Sequence, residues 1–145
     1  MMTTHVTALD RTVQQTHEWV RDIASRLGTD DPEKGYAALR AVLHTLRDRL
    51  PPDEAVDLSA QMPTLVRGIY FEGWHPADKP LKYRHKEDFL NRVLDDAPAL
   101  AGHEAETAVT AVFEELGSEL DVGEVDEVRD AMPAEVRALW PSATP

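Results

Sequence analysis

His75, Tyr83 and His85 lie close together in the segment "EGWHPADKPLKYRHK", Glu72 to Lys86. Imidazole titrates near neutrality and a phenol can pass a proton, so this trio has the side chains of general acid–base chemistry. The companions that such chemistry needs are missing from the sequence. It has no Gly-x-Ser-x-Gly nucleophile turn, no phosphate-cradling glycine loop and no paired-histidine zinc helix. The 145 residues include no cysteine, which removes thiol nucleophiles, thiolate metal sites and disulfides together. Glu72 and His75 have the Glu-x-x-His spacing that holds iron in helical bundles, but such a centre takes two copies on long helices. This chain has one copy, interrupted by Gly73 and ended by Pro76. No catalytic residue, metal or cofactor is therefore expected.

The same segment has the means to bind. Lys79, Lys82, Arg84 and Lys86 are concentrated in it, and five of the nine aromatic residues (Tyr70, Phe71, Trp74, Tyr83 and Phe89) lie in or beside it. Aromatic faces next to cations stack on and neutralise an anionic ligand, or anchor a protein interface. The candidate surface is Trp74, His75, Lys79, Lys82, Tyr83, Arg84 and His85. The competing reading is structural: Trp74 and its neighbours pin a long connector across the core, since an unstructured stretch of this length needs an anchor.

Charge is unevenly distributed. The chain has a formal net charge of -12. Residues 1–71 hold 8 basic and 10 acidic side chains, residues 72–86 hold 4 and 2, and residues 87–145 hold 3 and 15. The last section repels a phosphate backbone, so nucleic acid is not an expected partner. No segment has the basic start and apolar run of a signal peptide or the length of a membrane span, so neither is expected and the protein is read as cytoplasmic. The acidic run "EELGSELDVGEVDEVRD" reads as a solvated face with Asp121 as an N-cap, and it lacks the pattern of a calcium loop.

The elements that must carry these residues all read as helices. In the first part Val13, Thr16, Val20, Ile23 and Leu27 form an apolar stripe at helical spacing. Asp31-Pro32 then opens a long helix striped by Leu39, Val42, Leu43, Leu46 and Leu50, which Pro51-Pro52 ends. Two short helices follow, separated by a bend at Met62-Pro63. The pattern returns at an offset of 70: residues 36–70 align without a gap on 106–140, with ten identical pairs that include Met62/Met132, Pro63/Pro133, Glu54/Glu124 and Arg67/Arg137. Arg67 with Glu54, and Arg137 with Glu124, are candidate structural ion pairs tying the short helices together.

"MPTLVRGIYFEGWHPADKP", with the preceding helix "YAALRAVLHTLRDRLP", resembles the bacterial and archaeal domain-of-unknown-function family 2267. The resemblance spans about residues 10–141 and implies an all-helical fold. It implies no reaction and transfers no site residue.

The expectation is an all-α protein of eight helices, arranged as two tandem four-helix repeats packed with approximate two-fold symmetry. Residues 1–145 form a single helical domain: repeat one at about 10–71, a connector at 72–86 and repeat two at about 87–141. The expected role is a non-enzymatic module that binds another protein or itself, a homodimer being one such form, away from membranes and nucleic acid. The alternative is a small anionic ligand bound, or acted upon, at the connector.

Overall fold

The computed structural model describes residues 4–141. Among them are eight α-helices: α1 (Thr7–Arg26), α2 (Pro32–Arg49), α3 (Pro52–Ser59), α4 (Thr64–Phe71), α5 (Lys86–Asp96), α6 (Ala105–Glu119), α7 (Val122–Asp130) and α8 (Ala134–Arg137). A single 3-10 turn, Gly102–Glu104, leads into α6, and no described residue lies in a strand.

The helix ends follow local chemistry. The Asp31 carboxylate accepts from the Glu33 amide at 3.0 Å, with Pro32 in the first turn of α2. Asp121 caps α7 in the same way, accepting from the Glu124 amide at 3.3 Å. Pro63 and Pro133 take extended backbone (φ -53° and -60°) and open α4 and α8, so each Met-Pro step becomes a bend. Gly73 ends α4 in a left-handed turn with φ +75°, a conformation glycine adopts without strain.

The helix α2 runs through the interior. It packs on α1, α4, α5 and α6, and residues 41–47 are buried one after another. The helix α1 packs on α2, α4 and α6, α5 packs on α2, α6 and α8, and α3 packs on α7. One apolar core draws on both halves of the chain, joining Trp19, Ile23, Leu39 and Leu46 to Phe89, Val112, Leu116 and Trp140. Phe113 stacks on Trp140, with centroids 4.0 Å apart, and meets Phe89 edge-on at 6.0 Å. Eight-residue helices are not stable by themselves in water. The helices α3 and α4 persist because Leu58, Val66 and Tyr70 are fully buried, at about 1.5–3 kcal/mol for each large apolar side chain. The Tyr70 hydroxyl also donates to the Ala55 carbonyl at 2.8 Å, joining α4 to α3.

The stripe expected on α1 is buried at Thr16, Val20 and Ile23 and half-buried at Leu27, but not buried at Val13, which is 43% exposed. No side chain from Thr7 to Gln15 is buried. The reason lies in α4, which covers the end of α2 that this part of α1 would otherwise meet. His44 Nε2 lies 2.6 Å from the Ile69 carbonyl, and Arg47 donates to the Tyr70 carbonyl at 2.7 Å. The first half of α1 is left with the edge of α4, where the Leu65 amide donates to Thr12 Oγ1 at 2.8 Å.

The helices α1 and α2 approach closely at Gly35, where a Cβ would sit 2.5 Å from the Val20 carbonyl oxygen and 3.0 Å from Ala24 Cβ. Gly35→Ala is expected to force the two helices apart, costing about 1–3 kcal/mol and lowering the melting temperature by several degrees. Gly68→Ala, with nothing within 4 Å of the new methyl, is expected to be neutral or stabilising by about 0.5–1 kcal/mol. Thermal unfolding of the two variants side by side checks both.

Candidate functional site

The connector between α4 and α5 is tied down along its length. Arg47, only 5% exposed, donates through Nη1 to the carbonyls of Tyr70 (2.7 Å) and Glu72 (2.6 Å). Arg40 pairs with Glu72 at 3.0 Å. Trp74, half-buried, leans on Phe71 with centroids 5.2 Å apart. Further on, the Leu81 amide donates to the Asp48 carbonyl at 2.8 Å, and Arg49 Nε donates to the Tyr83 carbonyl at 2.9 Å. The Tyr83 ring sits between two guanidiniums, with Arg49 5.5 Å and Arg92 5.2 Å from its centroid. Its hydroxyl is buried without a hydrogen-bond partner, and burial pushes the phenol up to about 12. A phenol held that high is a poor general acid or base near neutrality.

The end of the connector is held electrostatically. His85 Nδ1 lies 3.0 Å from Glu135 Oε2, and the Lys86 amide donates to Glu135 Oε1 at 3.2 Å. The Lys86 ammonium, in the first turn of α5, pairs with Glu106 at 3.0 Å. The hydrogen bond to Glu135, followed by its charge, raises the His85 pKa, and the same pairing lowers that of Glu135.

The predicted residues therefore divide. Trp74 and Tyr83 face inward and serve as anchors, while His75, Lys82, Arg84 and His85 are exposed and Lys79 is half-buried. Among the described residues Lys79, Lys82 and Arg84 enter no ion pair; the acidic helices are met by Lys86 and His85 instead. His75 and Arg67 do not converge with them. Arg84 and His85 do line a groove of about 510 Å³ with Arg49, along the bend from Ala131 to Glu135.

The expected Arg67–Glu54 and Arg137–Glu124 pairs are not formed. Arg67 donates to the carbonyls of Ser59 (3.0 Å), Ala60 (3.2 Å) and Met62 (3.2 Å). Arg137 donates to those of Arg129 (3.1 Å) and Met132 (2.9 Å). Each guanidinium reaches a carbonyl at the end of the preceding short helix (Ser59, Arg129) and the methionine carbonyl of the bend after it, where the helix has its negative pole. The glutamates point elsewhere: Glu54, Glu124 and Glu127 bring one carboxylate oxygen each within 4.8 Å of one another, where α3 meets α7. Burial first, and neighbouring carboxylates second, raise the pKa of Glu54 and of Glu124. The acidic run is not uniformly solvated either, because Glu115 is wholly buried. Helical spacing could have located it, since position 115 falls in line with Ala108, Ala111, Val112 and Leu116 on the apolar face of the second long helix.

Helices on every side of a shared core, arginine-capped bends and a clamped connector define an all-helical protein. No described helix is long and apolar enough to cross a membrane. The chain belongs to the family described as "Uncharacterized conserved protein (DUF2267)", whose model matches residues 16–139. A search of curated proteins returns no match.

Two outcomes follow. Arg47→Met, which leaves the Tyr70 and Glu72 carbonyls without their donor, is expected to destabilise the fold by about 2–4 kcal/mol in denaturant unfolding. Glu135→Gln is expected to return the His85 pKa toward its ordinary value, as read by NMR titration. The His85–Glu135 contribution in the parent protein is full between the ordinary carboxylate and ordinary histidine pKa values; it fades as pH rises through the raised histidine value and as pH falls through the lowered Glu135 one.

Proposed function

We propose that this chain is a non-enzymatic helical module that self-associates through the outer face of α1. The observation that carries the reading is an apolar stripe that the described residues leave largely exposed. Val6, Leu9 and Val13 are 48%, 60% and 43% exposed and follow one another at helical spacing. Leu65, 39% exposed, continues the stripe where α4 touches Thr12. Single exposed apolar side chains are ordinary; an aligned set on a half-helix without one buried residue is the mark of an interface.

Charge favours a second copy as the occupant. A chain of net charge -12 repels itself, most of all through residues 87–145, which hold 15 acidic and 3 basic side chains. The first half of α1 carries one aspartate and one arginine, Asp10 and Arg11, and is the section where that repulsion is weakest.

The same reading takes the chain as a tandem duplicate with the connector as its clamp. Support comes from the neighbours of offset-related helices: α1 lies on α2, α4 and α6, and α5 lies on α6, α8 and α2. Further support is the identical task of Arg67 and Arg137. A second reading, a small anion in the groove beside the connector, is favoured by one observation: Arg49, Arg84 and His85 line it against a single carboxylate, Glu135.

Light scattering coupled to size-exclusion chromatography tests the leading reading. The parent chain is expected to run as a dimer at high micromolar concentration, and Leu9→Glu with Val13→Glu as a monomer of unchanged helicity. A parent that stays monomeric, or a double variant with the parental mass, removes it. A melting temperature raised by phosphate and insensitive to that double variant, but lost in Arg84→Glu, would move the function to the connector groove.

A further inference from the structure

Glu115 is a carboxylate in the wrong place for an acidic surface protein. It is 0% exposed, on the side of α6 that faces α1. Its Oε1 has one long contact, Arg26 Nε at 3.4 Å, and that guanidinium is engaged more closely by Glu114 at 2.7 Å. Its Oε2 is sealed from solvent and accepts no hydrogen bond. Burying a charge so poorly paired is costly. Two more carboxylates crowd the same point: Asp22 from α1 and Glu119, one turn along α6, each place an oxygen within 4.8 Å of the others and of Glu115. Among the described residues Arg26 pairs with Glu114 and Glu115 only, and no cation pairs with Asp22 or Glu119. The arrangement calls for one more positive charge.

We propose that Asp22, Glu115 and Glu119 bind a hard divalent cation that bridges α1 and α6. The donor set is oxygen alone, the preference of Ca²⁺, Mg²⁺ and Mn²⁺ and not of metals that favour imidazole or thiolate. Oxygens at about 2.3–2.6 Å from one Ca²⁺ lie at most about 5 Å apart, so the observed spacing requires little side-chain movement. Glu119 also borders an open groove of about 230 Å³, shared with Gln15, Glu18 and Gln61, through which a hydrated ion can arrive. The sealed Glu115 oxygen would supply the inner ligand, and Asp22 and Glu119 the outer two. The competing occupant is a proton. Burial, then the Asp22 carboxylate, pushes Glu115 up to about 8, which would let a neutral Glu115 donate to Asp22.

The test uses the full chain, stripped with a chelator and melted with and without millimolar Ca²⁺, Mg²⁺ or Mn²⁺ at constant ionic strength. At least one ion is expected to raise the melting temperature by about 3 °C or more. Mn²⁺ is expected to broaden the amide signals of Asp22, Glu115 and Glu119 selectively. Both effects are expected to vanish in Asp22→Asn with Glu119→Gln, whose changed side chains are exposed, and to persist in Glu124→Gln with Glu127→Gln. Broadening spread over the acidic surface, or an ion response surviving the first pair of substitutions, overturns the proposal. So does an unresponsive parent chain, and in that case Glu115→Gln stabilising the protein at neutral pH without any ion would identify the proton as the occupant.

Discussion

Residues 41–47 of α2 are buried without interruption, so this helix has no face on water for nearly two turns. The helix α6 is almost as enclosed, from Ala108 to Leu116. A helix in that position must satisfy every polar side chain internally. Three on α2 do so by different routes: Thr45 donates back to the Ala41 carbonyl, His44 reaches the Ile69 carbonyl, and Arg47 reaches across to α4 and the connector. Glu115 on α6 occupies the position aligned with Thr45. A threonine can turn its hydroxyl onto its own helix, but a carboxylate has no proton to give once ionised. The two enclosed helices therefore explain both the firm attachment of α4 and the poorly partnered carboxylate of Glu115.

The outer elements cover these helices and complement their own dipoles. Glu54 and Glu124 lie in the first turns of α3 and α7, where negative charge is favourable, and Arg67 and Arg137 close the opposite ends. Their placement explains why charge complementarity alone paired the wrong residues. A guanidinium at a helix end finds several oriented carbonyls nearby, fixed by the backbone, whereas a glutamate two turns away must be brought to it. The connector follows the same economy: its backbone is held by Arg47 and Arg49, and few of its own cations are used.

Element boundaries were legible because each is a local event. Asp31-Pro32, Pro51-Pro52, the two Met-Pro steps and Asp121 act within a few residues, and all fall where the helices begin or end. Facing direction was less legible, because it depends on which helix arrives from elsewhere. Val13 continues the stripe of α1 in sequence, yet α4 takes the surface it would have covered. Glu115 reads as part of a solvated run, yet α1 closes over it. In the connector, composition singled out Trp74, Tyr83, Lys82 and Arg84 together but could not say that the two aromatic rings are partly buried while the two cations are exposed. The prominence of basic residues there reflects the acidity of the rest of the chain as much as any shared target.

The three indoles lie in unlike settings. Trp19 and Trp140 are buried at 4% and 5% exposure, the latter stacked on Phe113, while Trp74 lies half-open on the connector. Ultraviolet emission from the folded chain thus contains a solvent-sensitive fraction that originates in the connector and a shielded fraction from the core. A soluble quencher would reach the half-buried connector indole more readily than the two core indoles, so the molecule carries separate optical reporters of its connector and of its core.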